Sequence, residues 1–355
     1  MTKTLVKKKS SKKVTITKGK FEGLMAVSDK NGVIRAAAMD QRGSLQKSIA
    51  KAKNVDPSEV TPQMMSEFKV AVSKVLTPHA SAILLDPEFG LEAVKARNKK
   101  AGVLLAYEQT GYDHTLPGRV PTLVADYSVS RLIKDGADCV KILLYYTPEE
   151  DAKINDIKHA FVRRIGAECA HYDIPFFLEF VGYDSKGGDE KGPEYAKRKP
   201  IIVQKSMEEF SKPEYLVDVL KVEFPVNMQF VEGARSSKGG PVAYTRQEAI
   251  KHLQVSARVA KKPFIYLSAG VSDDEFREAI ELATEARTPF SGVLCGRATW
   301  KEGIPVYASQ GAKALETWLL DRGVKNITAL NKVLDQGAKS WMDFYGGKSR
   351  IQIVK

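Results

Sequence analysis

The chain has 355 residues, of which 43% are hydrophobic and 28% charged, the balance of an ordinary globular protein with ample material for a core. No apolar run approaches the roughly 20 residues that a membrane-spanning helix needs, and the three separated cysteines, Cys139, Cys169 and Cys295, form no CxxC pair that would point to a zinc or redox site. Net charge is +12, but eight lysines and no acid fall within the first 20 residues, which leaves +4 for everything else.

Residues 1–20 are thus a Lys/Ser/Thr arm too poor in large apolar groups to offset its own ordering entropy, and it is predicted to be mobile and disordered. A solvated extension is the favoured reading, and a nucleic-acid arm the less favoured one. The arm lacks the apolar stretch and cleavage site of a secretory signal, so a cytoplasmic location is expected.

Eight short runs rich in Val, Ile, Leu and Phe follow, at about residues 32–38, 80–85, 102–107, 138–145, 174–180, 216–223, 263–268 and 290–295. Longer amphipathic segments separate them, which is how buried parallel strands with crossover helices read. Thr61-Pro62 opens one helix, whose face carries Met65, Phe68, Val72, Val75 and Leu76. Thr147-Pro148-Glu149-Glu150 and Ser272-Asp273-Asp274-Glu275 have the pattern of further helix starts.

Eight strand-helix units close as a single (β/α)8 TIM barrel, placed at residues 21–340 and followed by a C-terminal tail at 341–355. Neither GxGxxG nor GxxxxGK[ST] occurs, so a nucleotide fold lacks its usual motif. Residues 182–199 and 233–240, rich in glycine and charge, follow the fifth and sixth strands and are either lids or plain surface insertions.

Barrel enzymes carry their chemistry at the C-terminal ends of strands. Asp40, Asp86 and Glu108 end the first three strands, Lys141, Glu179 and Lys221 lie in the next three, and Ser268 and Arg297 end or follow the last two. A charged side chain in a buried strand is costly unless paired or used.

Lys141 and Lys221 each stand three residues after an aspartate, Asp138 and Asp218, so alternate strands would point two amines into one cavity. Mutual repulsion and burial would then favour a neutral amine able to attack a carbonyl. The plain alternative is that each is ion-paired and merely tolerated. Glu179 reads equally as a proton carrier or as a counter-ion, since its apolar cradle and a neighbouring lysine pull its pKa in opposite directions.

The stretches Ser268-Ala269-Gly270-Val271-Ser272 and Gly296-Arg297-Ala298-Thr299 suit an anion held by backbone N–H groups and arginine. The five histidines, 79, 114, 159, 171 and 252, form no HxxH or HExxH pattern, which disfavours zinc chemistry; no metal or cofactor is expected, with a Mg2+ held by carboxylates the alternative left open.

The chain resembles the tagatose-1,6-bisphosphate aldolase family of class I, Schiff-base aldolases. The resemblance is carried by AMDQRGSL at 38–45, LLAYEQTGYD at 104–113, GADCVKILLYY at 136–146, IPFFLEF at 174–180, VDVLKVEFPVNM at 217–228, YLSAGVS at 266–272 and FSGVLCGRATW at 290–300, and it runs from about residue 22 to 335. It implies Lys221 as the Schiff-base lysine, Glu179 as the proton-transferring carboxylate, Lys141 as a second active-site lysine and Asp40 as a further catalytic residue. Gln41 and Arg42 would line the substrate site, and Ser268, Gly270, Gly296 and Arg297 the phosphate loops.

The implied reaction is reversible cleavage of D-tagatose 1,6-bisphosphate, with fructose 1,6-bisphosphate also open, to dihydroxyacetone phosphate and glyceraldehyde 3-phosphate. The expected partner is a phosphorylated sugar, and a homo-oligomer, a dimer by resemblance, is expected. No membrane or nucleic-acid partner is expected. The alternatives are an aldolase for a sulfonated ketohexose phosphate and a non-catalytic sugar-phosphate sensor or nucleic-acid binder using the basic arm.

Overall fold

A computed structural model of the protein describes residues 13–113, 115–237 and 239–355. Eight strands form a closed parallel barrel in chain order: Ile34–Ala38 (β1), Ala82–Leu85 (β2), Gly102–Ala106 (β3), Cys139–Tyr145 (β4), Phe176–Val181 (β5), Val219–Glu223 (β6), Phe264–Leu267 (β7) and Gly292–Cys295 (β8). The bounds of each fall within three residues of those of an expected run. Helices such as Pro62–Leu76, Ala152–His171 and Asp273–Glu285 cover the outer face. With both faces covered, a strand such as β2 can be buried at every position.

Closure is made where β8 meets β1, with Ile34 opposite Gly292 and Ala36 opposite Leu294. Gly292 sits there at φ 132°, and a Cβ on it would stand 1.9 Å from the Ile34 carbonyl oxygen, so only glycine lets the last strand approach the first.

Local signals start the helices largely as expected. Thr61 accepts from the Met64 N–H with Pro62 in the first turn, and Ser272 accepts from the Glu275 N–H. The start expected at Thr147 moves: the helix begins at Ala152 and is capped by Asp151. Glu149 and Glu150 are drawn instead to Arg198 and to the Tyr183 hydroxyl, which keeps residues 147–150 in a turn.

The described parts of both chain ends pack against the barrel. Val14–Thr17 pairs in parallel with Ile351–Val354, and a helix follows at Lys18–Ala26. Asp173 accepts from the backbone N–H groups of Gly19 and Lys20, while the Lys20 ammonium meets Asp218 at 2.9 Å. Trp341 is fully buried, edge-on to Phe21. Residues 14–20 and 341–354 therefore join the barrel's N-terminal face, because buried apolar and ionic partners distant in sequence offset the cost of ordering them. The earlier part of the arm, residues 1–12, lies outside the described residues.

Candidate active site

At the opposite face, where the strands end, opens a cavity of about 1710 Å³. Its floor is charged. In the ladder Lys141 stands opposite Phe177 and Phe177 opposite Val219. Closing eight strands with a shear of about 8 staggers each by about one residue against the next, so Lys141 is level not with Val219 but with Lys221, two residues further along the same face. Glu179 pairs directly with Lys221 across the ladder.

The result is a compact cluster. The Lys141 Nζ lies 2.8 Å from each of Asp40 Oδ2, Glu108 Oε1 and Glu179 Oε2, and the same Glu179 Oε2 lies 2.8 Å from Lys221 Nζ. Lys141 is fully buried, whereas Lys221 and Glu179 are 3% and 8% exposed and line the cavity.

The neutral amine expected from two close cations is not Lys141, which takes the plain alternative of an ion-paired lysine. Burial alone would lower its pKa, but Asp40, Glu108 and Glu179 together outweigh that and hold it well above the ordinary lysine value. Lys141 is a permanent ammonium at neutral pH. Asp40 is its counterpart: burial would raise its carboxyl, yet Lys141, then Lys221 and Arg42, hold it far below the ordinary carboxylate range. Among the described residues Lys221 pairs with one carboxylate, Glu179, and shares it with Lys141.

The loop carrying Asp40 is fixed from beneath by a residue that the sequence reading passed over. Lys69, fully buried, donates to the carbonyls of Met39 at 2.7 Å and Gln41 at 2.8 Å, and to Asp86 Oδ2 at 2.5 Å. Its signal was a lysine set between Phe68 and Val72 on a face otherwise apolar. Asp86, noted only as a strand-end carboxylate, is thus the partner of Lys69.

Gln41 lines the cavity and its amide donates to Asp40 Oδ1 at 3.2 Å. Arg42 also reaches the wall, but its guanidinium is engaged by Glu88 at 2.7 Å and by the Glu108 carbonyl at 2.7 Å. It lines the cavity as expected of it and also ties the loops after β1, β2 and β3 together.

At the rim, Ser268, Gly270, Gly296 and Arg297 all line the cavity. Ala269 and Gly270 have φ of 47° and 79°, and Val271 N–H donates back to the Ser268 carbonyl at 3.1 Å, the signature of a type I′ turn. A left-handed alanine costs roughly 1–2 kcal/mol, and the N–H groups of Ala269 and Gly270 have no acceptor among the described residues. Arg297 has no carboxylate partner among them either. Unpaired donors and an unpaired cation at one rim make it receptive to an anion.

Of the two segments expected as lids or insertions, Gly182, Glu190, Lys191 and Lys199 from one and Arg235 and Ser236 from the other line the cavity. His79, His159, His171 and His252 stay out of its lining, and His114 lies outside the described residues.

An amine and a shared carboxylate sunk in the strand-end face of a closed barrel, under an anion-receptive rim, define a barrel enzyme. Residues 34–302 match the DeoC/LacD family aldolase profile. The chain is 51% identical over 342 residues to a tagatose 1,6-diphosphate aldolase of Listeria monocytogenes serotype 4a, covering 96% of this chain and 99% of that one. It is likewise 51% identical over 328 residues to tagatose 1,6-diphosphate aldolase 2 of Enterococcus faecalis, covering 92% and 97%. Among solved structures, a fructose-bisphosphate aldolase from Plasmodium falciparum superposes with a TM-score of 0.63 at 12% identity, over 91% of this chain and 98% of that one, a likeness of fold. The chain belongs to the DeoC/LacD family of aldolases, lyases that cleave carbon–carbon bonds. Among the described residues no helix is long and apolar enough to cross a membrane.

Proposed function

We propose that this chain cleaves D-tagatose 1,6-bisphosphate reversibly to dihydroxyacetone phosphate and glyceraldehyde 3-phosphate, through a Schiff base on Lys221. The observation that carries the reading is the single oxygen, Glu179 Oε2, placed 2.8 Å from both Lys221 and Lys141 at the floor of the cavity. The names of the relatives supply the substrate.

Lys221 passes its proton along that contact to Glu179, and the free amine adds to the C2 carbonyl. Loss of the C2 oxygen as water, with the proton returned by Glu179, leaves an iminium. The ionised Glu179 then takes the C4 hydroxyl proton; the C3–C4 bond breaks, its electron pair flows to the iminium nitrogen, and the aldehyde leaves. Protonation of the resulting enamine at C3 and hydrolysis release dihydroxyacetone phosphate.

Lys141 keeps its charge throughout and stabilises the ionised form of Glu179, while Asp40 receives substrate hydroxyls at the cavity floor. The Ser268–Val271 turn with Arg297 holds one phosphate. The first turn of the helix Gly43–Lys53, which contains no acid, lines the cavity together with Lys47 and receives the other. The setting that goes with this reading is a cytoplasmic dimer.

Borohydride reduction in the presence of dihydroxyacetone phosphate, followed by peptide mass mapping, tests the proposal. A stable adduct on Lys221 is expected, with cleavage unaffected by EDTA. An adduct elsewhere, no adduct, or loss of cleavage in EDTA rejects it.

A further inference from the structure

We propose that Lys301 is a positioning residue for phosphate, a strut that sets the Ser268–Val271 turn in its anion-receiving shape. The inference rests on the aldolase reading above and extends it to a residue outside the motif positions that suggested it.

Lys301 begins the short turn Lys301–Gly303 directly after Arg297–Trp300, so its backbone belongs to the loop following β8. Its side chain crosses to the loop following β7, where Nζ donates to the Gly270 carbonyl at 3.2 Å and the Val271 carbonyl at 3.1 Å. The two loops that form the rim are thereby joined.

A peptide unit is planar, so holding a carbonyl on one side aims the N–H of the next residue to the other. Holding the Gly270 carbonyl directs the Val271 N–H, which closes the turn on Ser268 at 3.1 Å, and holding the Val271 carbonyl directs the Ser272 N–H. Left-handed alanine persists only where its surroundings impose it, and here they are Lys301 on one side and Arg297 on the other. The Arg297 guanidinium packs so closely over Gly270 that a Cβ there would stand 2.7 Å from Cζ.

Lys301 also keeps its charge open. Among the described residues its ammonium meets carbonyls and no carboxylate, and it lines the cavity. It therefore adds positive potential to the rim while shaping it, and both effects act on a phosphate and not on the ketone carbon.

The test compares two ketones that differ only in phosphate. Borohydride trapping on Lys221 is titrated with dihydroxyacetone phosphate and with dihydroxyacetone, for the wild type, Lys301→Met and Lys301→Arg. In Lys301→Met the half-saturating concentration of the phosphorylated ketone should rise about tenfold, the size of one charge-assisted hydrogen bond, with no change for dihydroxyacetone. KM for the bisphosphate should rise in step while kcat holds, and Lys301→Arg should recover most of the loss.

Equal weakening for both ketones would mark a general structural role and overturn the proposal, as would no change for either. Failure of the wild type to trap on Lys221 would instead overturn the aldolase reading, so the two can fail separately.

Discussion

Asp40 and Lys141 show how one contact sets two pH limits. Asp40 is held below its ordinary range and an unfolded aspartate titrates near ~3.9, so its contribution to stability is complete above about pH 4–5 and is lost as pH falls toward the folded value. Lys141 is raised, so its contribution is complete below the unfolded lysine value of ~10.4 and is lost as pH rises beyond it. Between those limits the pair is indifferent to pH. In urea melts, the gap between wild type and Asp40→Asn should be constant near neutrality and narrow as pH falls from about 5 to about 3. A gap unchanged at the acid end would mean that Asp40 titrates like a free carboxyl. Spacing alone brings Lys141 and Lys221 together and favours a neutral amine without saying which of the two it is. The spacing that placed Lys141 beside Lys221 was legible in the chain, but the carboxylates that reverse its chemistry come from β5 and from the ends of β1 and β3, distant in sequence.

At the scale of elements, the buried pair Lys69–Asp86 joins the helix Pro62–Leu76 to the end of β2 and grips both carbonyls that flank Asp40. Removing one partner leaves the other charged and dry. Lys69→Met should cost about 3–5 kcal/mol in denaturant unfolding and lower kcat, since Asp40 loses its support. The double variant Lys69→Met with Asp86→Leu should recover much of the stability but not the turnover. If both variants matched the wild type in kcat, the pair would have no part in holding Asp40. Helical periodicity had marked this helix through Met65, Phe68, Val72, Val75 and Leu76. It could not mark Lys69 as functional, because a lysine's role depends on what lies across the interface.

The whole molecule divides its tasks between two ends. Lys221 and its partners occupy the face where the strands end, while the helix Lys18–Ala26, Trp341 and the two-stranded pairing of the chain's ends cover the other. Trp341→Ala should therefore cost about 3–5 kcal/mol of stability and leave kcat at saturating substrate unchanged, measured well below the melting temperature. A kcat loss in the folded variant would show that the two faces are coupled.

Eight apolar runs, two cap signals and the positions of Lys221, Glu179 and Lys141 were determined by the sequence alone, because strand burial and helix starts depend on neighbours only a few residues away. The rest was decided in three dimensions: that Lys141 is caged by carboxylates, that Arg42 braces loops, that Lys69 and Lys301 shape the two loops around the cavity, and that the chain's ends seal the far face. Those facts turn on the stagger of a closed barrel and on which charges it brings within hydrogen-bonding distance, and contacts between residues on different elements of the chain leave no local pattern to read.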